Sequence, residues 1–179
     1  MVSVPLSDSG ENAEGGRRKF GRSRRDQEPS FEALPDSVPP QNLEAEEAVL
    51  GGILLDPDAI GRVADVLQPE AFYLNAHREI FRTALMLHSQ GKPTDLTAMS
   101  AWLADTGSLE KVGGNSRLIE LVERVPSTAS IEQVARLVKD KFLRRQLIRS
   151  GNEVIKLGFD QSLPMEQVLD QAEQTIFAI

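Results

Sequence analysis

An all-α fold is predicted for this 179-residue chain by three observations. From Asn42 onwards apolar residues recur at three- and four-residue spacing, and no run alternates convincingly with period two. The periodic stretches are also punctuated as helices are, with Asn, Asp or Ser in front and Gly or Pro behind. The pattern predicts a compact helical head over residues 42–127 and a long antiparallel helical hairpin over 128–179 belonging to the same domain. Residues 1–41 are rich in Gly, Ser, Pro and charge, lack apolar periodicity and contain Pro35, Pro39 and Pro40, which reads as a disordered polar tail.

Seven helices are expected. The first covers 43–55, capped by Asn42, with Glu44, Glu46 and Glu47 at its positive end and Val49, Leu50, Ile53 and Leu54 as its buried stripe. Gly51 and Gly52 leave room for a neighbour to approach. Asp56 followed by Pro57 reads as a cap with proline at the first helical position, and Ile60, Val63 and Leu67 continue the apolar face. A short turn from Pro69 carries Phe72 and Tyr73. Asn75 is then placed to cap a third helix burying Ile80, Phe81, Ala84 and Leu85, stopped by Gly91 and Pro93. Asp95 caps a fourth, with Leu96, Met99 and Leu103 on one face and Gly107 at its end. A fifth carries Leu118, Leu121, Val122 and Val125 up to Pro126.

The last two helices differ from these. Ser130 with Gln133 has the spacing of a capping box and opens about 28 residues without a breaker, roughly 40 Å of helix. Residues 158–163 turn the chain, and Pro164 opens a final helix with Val168, Leu169, Ala172 and Ile176 expected to face inward. Apolar residues on the long helix form two lines, Val134, Val138 and Phe142 on one and Leu143, Leu147 and Val154 on the other. One hairpin partner cannot cover both. The surplus points to a protein interface, with Val138, Phe142, Leu143, Arg144, Arg145, Leu147 and Ile148 as candidate self-association or partner-binding residues. The apolar end at Thr175–Ile179, lacking any stop signal, reads as a chain that continues.

Composition restricts function. No stretch approaches the ~20 uncharged positions of a membrane span, so a soluble protein without a membrane partner is expected. The absence of cysteine rules out disulfides, thiolate metal sites and cysteine nucleophiles, and suits a reducing cytoplasm. A net charge of -7 opposes a chain that wraps nucleic acid. Two local exceptions stand out. Arg17, Arg18, Lys19, Arg22, Arg24 and Arg25 form an acid-free cluster that is a candidate nucleic-acid contact, and Lys139, Lys141, Arg144, Arg145 and Arg149 face only Asp140. Either cluster also reads as a solvated surface.

The chain carries no catalytic signature. A nucleotide-binding loop needs a glycine-rich turn followed by Lys and Ser or Thr; Gly91-Lys92-Pro93-Thr94 lacks the upstream glycine and has proline where the hydroxyl belongs. Gly113-Gly114 reads as a loop. His77 and His88 sit about three helical turns apart with no carboxylate at ligand spacing, and Glu44, Glu46 and Glu47 have no nucleophile or positioned base beside them, which assigns them to the helix dipole and the surface. No metal, cofactor or catalytic residue is expected.

Several motifs in order resemble the N-terminal domain of the DnaB family of bacterial replicative helicases. They are Glu44-Ala45-Glu46-Glu47-Ala48-Val49-Leu50-Gly51-Gly52, Phe72-Tyr73, His77-Arg78-Glu79-Ile80-Phe81, Pro93-Thr94-Asp95-Leu96, Leu109-Glu110-Lys111-Val112-Gly113-Gly114, Leu143-Arg144-Arg145-Gln146-Leu147-Ile148 and Leu169-Asp170-Gln171-Ala172-Glu173. Ser116-Arg117 replaces an aromatic common in the family after the glycine pair, and Ser130 and Val134 stand where Asn and Tyr are usual. The resemblance implies a non-catalytic collar domain. Its hairpins would pair into dimers, three dimers would form a ring above six ATPase motors, and a DnaG-type primase or a helicase loader would dock on it in the cytoplasmic, nucleoid-associated replisome. It also implies that ATP and Mg belong to a motor domain of the parent 5'–3' helicase outside this chain. Two alternatives remain at this level: the helicase-binding domain of a primase, which shares the head-and-hairpin plan, and a helical DNA-binding module built on the two basic clusters.

Overall fold

In the computed structural model, which describes residues 38–125 and 130–179, Asn42 opens α1 (Leu43–Leu55) by accepting a hydrogen bond on Oδ1 from the Ala45 N–H at 3.0 Å. This helix is the axis of the head. It packs against α5 (Gly114–Glu123) and α6 (Ile131–Phe159) and also touches α2 (Ala59–Val63), α3 (Asn75–Ser89) and α4 (Leu96–Asp105). Two 3-10 turns, Pro69–Ala71 and Glu110–Val112, complete the head, and α7 (Met165–Phe177) packs on α6. No strand occurs among the described residues.

Val49, Leu50, Ile53 and Leu54 of α1 are buried as their spacing predicts, and they meet Ile60, Val63, Phe72, Ile80, Phe81, Met99, Leu103, Leu118 and Leu121 in one core. Phe72 and Phe81 stack at 4.8 Å between ring centroids with a 38° tilt. Close approach of α5 to α1 depends on Gly51: a Cβ there would stand 2.1 Å from the Leu121 carbonyl oxygen. The Thr94 hydroxyl, buried, donates to the Ile53 carbonyl at 3.3 Å and pins the α3–α4 connection to the end of α1. Helices α3 and α4 close as predicted at Gly91 and Gly107, both at φ 66°. In each, the residue after the glycine donates five residues back, from Lys92 to Leu87 and from Ser108 to Leu103.

Several local expectations are corrected. Asp56 does not cap α2; its Oδ1 accepts from the Asp58 N–H in a tight turn and the helix begins at Ala59. Leu67 follows the helix, yet is still buried. Asn75 is the first residue of α3 and not its cap, because its Oδ1 is taken by Arg78 Nη1 at 3.0 Å. Leu85 is only partly buried against the core, while Leu87 is buried. At the start of α6 the capping box does not form: Ser130 Oγ bonds the Glu132 carboxylate and leaves Gln133 exposed. The compact unit begins at Val38, so residues 38–41 belong to the fold and not to the tail. Pro126 and the predicted head–hairpin boundary at 127–128 lie outside the described residues, as do residues 1–37.

Helix α6 has 29 residues, about 44 Å at 1.5 Å per residue. Its first half is rooted in the head, with Ala135 and Val138 in the core and Val134 and Phe142 packed against it. Beyond this root, α6 pairs with α7. The chain turns after Phe159, where Asp160 Oδ1 accepts from the Ser162 N–H at 2.9 Å, and Gly158 is still helical. On α7, Val168 faces inward as predicted, whereas Leu169 and Ile176 are exposed at 62% and 45%. A single 13-residue helix lying on one side of α6 has an inward face narrower than its apolar content.

Candidate functional site

The seven hairpin residues singled out from sequence divide into a root and a surface. Val138 is buried in the core and Phe142 is packed against it. Arg145 is a clamp: Nη1 donates to the Pro40 carbonyl at 2.7 Å and Nη2 to the Ala71 carbonyl at 2.5 Å, while the guanidinium lies 5.7 Å from the Tyr73 ring and 5.9 Å from the Phe142 ring. These three hold α6 to the head and present little to a partner. Leu143, Leu147 and Ile148 are exposed, and Arg144 is exposed and paired to Asp140 at 2.9 Å. Ile155 on α6 and Leu169 and Ile176 on α7 extend this apolar exposure along both arms. Between the arms runs an open groove of about 900 Å³, lined by Gln146, Arg149, Glu153, Leu157, Gln174 and Ile179 among others.

Two polar constructions in the head escaped the sequence reading. Glu46, assigned there to a surface role, is buried: Oε1 accepts from the Tyr73 N–H at 2.7 Å and Oε2 faces His77 Nδ1 at 2.8 Å. On the other side of the ring Arg117 Nη2 lies 3.3 Å from His77 Nε2. A guanidinium only donates, so a neutral His77 ring meets it with Nε2 as the acceptor and directs its Nδ1–H at Glu46. Glu47 is likewise no solvated charge, being held by Arg117 at 2.6 Å and Arg124 at 2.9 Å. Burial pushes the Glu47 carboxyl up, and the hydrogen bonds and charges of the two arginines outweigh it, leaving the group below its ordinary value of 4.5. Arg117, one of the departures from the family pattern, thus joins α1, α3 and α5. The separations of 31 residues for Glu46–His77 and 70 for Glu47–Arg117 explain why local spacing gave no sign of either.

Around Gly91-Lys92-Pro93-Thr94, the Thr94 hydroxyl is held by backbone carbonyls, and Lys92 lies over the Trp102 ring at 4.6 Å. Among the described residues no three His, Cys, Asp or Glu side chains are grouped to hold a metal, and no helix is long and apolar enough to cross a membrane. The candidate nucleic-acid contacts Arg17, Arg18, Lys19, Arg22, Arg24 and Arg25 lie outside the described residues.

The chain is a helical head carrying a hairpin with exposed apolar residues on both arms. Residues 38–140 match the DnaB-like helicase N-terminal domain, and the chain belongs to that family. It is 55% identical over 142 residues to the replicative DNA helicase DnaB of Nostoc sp., a match that covers 79% of this chain and 16% of the relative. The N-terminal domain of DnaB helicase from Mycobacterium tuberculosis superposes with a TM-score of 0.73 at 36% identity, covering 79% of this chain and all of that one. A DnaB-like replicative helicase solved together with a description of its interactions with primase gives a TM-score of 0.66 at 29% identity, over 77% of this chain and 31% of that one. The chain therefore spans well under half the length of these full helicases.

Proposed function

We propose that this chain is the non-catalytic assembly and docking domain of a replicative DNA helicase. In this reading the hairpin joins subunits into dimers and then a hexameric collar, and the domain receives a DnaG-type primase and a helicase loader in the cytoplasm. Unwinding, ATP and Mg belong to a motor in the parent chain. The observation that carries the reading is the apolar surface on both arms of the hairpin, left uncovered by the intramolecular packing of α6 and α7. Apolar area of this kind, on an element projecting from a complete core, is stabilised when a partner removes it from water. The relative described with its primase interactions supports the docking half.

The test replaces Leu147, which is 56% exposed, with glutamate. Sedimentation equilibrium should show the 179-residue chain associating with rising concentration and Leu147→Glu shifted toward monomer with unchanged helicity. Capture of a DnaG-type primase's C-terminal domain by the wild-type chain supports docking. A wild-type chain that stays monomeric at high concentration and captures no primase overturns the proposal.

A further inference from the structure

Three arginines face one small depression where α6 leaves the head. Arg78 from α3 and Arg145 and Arg149 from α6 line, with Gln68 and Gln146, a cavity of about 190 Å³ that Glu70 and Phe142 also border. Among the described residues none of the three makes an ion pair. The bordering carboxylate, Glu70, is engaged with Arg82 at 3.3 Å. Glu46 acts on Arg145 electrostatically, but its oxygens are held inside the head by Tyr73 and His77.

Donor capacity remains as well as charge. Each guanidinium has five N–H groups. Arg78 uses three of them on the Phe72 and Tyr73 carbonyls and Asn75 Oδ1, Arg145 uses two on Pro40 and Ala71, and Arg149 uses one on Gln146. Burial pushes the Arg145 guanidinium below its usual value; Glu46 opposes this, and the positive charges of Arg78 and Arg149 add to it. Like charges brought together at a half-buried place are stabilised by an anion between them.

We infer that this depression binds a phosphate group. Three cations without a bound carboxylate favour an anion carrying up to two charges and a tetrahedral set of acceptor oxygens, which planar arginine forks meet two at a time. The volume lies below the ~300 Å³ at which pockets begin to enclose drug-sized ligands, so the anionic group itself enters and the rest of its molecule stays outside. A net charge of -7 favours one discrete contact over a wrapped polymer. The phosphate belongs either to a small soluble compound or to one backbone position of a nucleic acid.

The test is calorimetric titration of the whole 179-residue chain with pyrophosphate, with ionic strength held constant by sodium chloride. One saturable site is expected, about tenfold weaker in Arg149→Ala and in Arg78→Gln, each of which removes a charged donor. Arg145 is left intact because it clamps α6. Circular dichroism checks that both variants remain helical. No heat beyond the chloride-matched control overturns the inference, and so does binding that neither variant weakens, which would place the anion elsewhere on the chain. A short oligothymidylate that displaces pyrophosphate competitively identifies a backbone phosphate as the occupant. Failure to displace identifies the small phosphate compound, and the site stands in both cases. A glutamate-rich peptide that displaces pyrophosphate as well as the oligonucleotide does would overturn the assignment to phosphate.

Discussion

Glu46 and Glu47 are neighbours in sequence and answer different demands. Glu46 points into the head, where burial of a carboxylate is tolerated because the Tyr73 N–H and His77 Nδ1 both reach it. Glu47 lies at the edge between Arg117 and Arg124. Its folded-state value is depressed, so its contribution is complete above pH about 4.5 and fades as pH falls through the lower folded value. Glu47→Gln should cost about 1–2 kcal/mol in urea unfolding at pH 7, with the difference from wild type shrinking as pH falls below about 4.5 and through the depressed folded value. A difference that stays constant across that range would contradict the paired-charge account. Gly51 carries a steric prediction: its Cβ would overlap the Leu121 carbonyl at 2.1 Å and Val125 Cγ2 at 2.5 Å. Backbone cannot give way as a flexible side chain does, so Gly51→Ala should lower stability by about 3 kcal/mol, read as a drop in melting temperature. Both carboxylates were legible as the acidic first turn of a helix. Their partners were not, since an ion pair across 70 residues exists only once α1 and α5 are packed.

At the level of elements, the predictions that held rest on local chemistry. Asn42 and Asp95 cap α1 and α4 because a short side-chain oxygen three residues before an unsatisfied N–H reaches it without help from elsewhere. Ser130 makes no side-chain cap because its hydroxyl turns to donate to the Glu132 carboxylate instead of accepting from a helix N–H. The long α6 was legible from the absence of breakers, but its division was not: Val138, Phe142 and Arg145 look in sequence like part of a protruding face and are instead its root. Arg145→Ala removes both hydrogen bonds that tie α6 to Pro40 and Ala71. It should destabilise the fold by about 2–3 kcal/mol and raise amide exchange around 38–41 and 69–72 before it affects the head core. Unchanged exchange in those segments would remove the clamp from the account.

For the molecule as a whole, the head and the hairpin share helix α6. Ala135 and Val138 sit in the same core as Leu50 and Phe81, so loss of the head removes the support for the hairpin. Urea unfolding followed by Trp102 fluorescence, which reports the head, and by far-ultraviolet circular dichroism, which reports all helices, should therefore give one coincident transition. A helical signal that outlasts the fluorescence change would mean that the hairpin is stable without its root. The same sharing gives the exposed apolar residues of the hairpin a base anchored in the head core.

The sequence by itself determined the all-α class, the order of the helices among the described residues and most of the core, because these follow from local periodicity, capping groups and glycine or proline stops, while the family was legible in the ordered motifs from Glu44 to Glu173. Only the tertiary structure decided which apolar line of α6 is core and which is surface, that Leu169 and Ile176 lie outside, and that Arg78, Arg145 and Arg149 meet at one depression. Periodicity defines a face of a helix but not what lies opposite it. Ion pairs, clamps and pockets depend on residues far apart in the chain, and their distances are set when the helices pack.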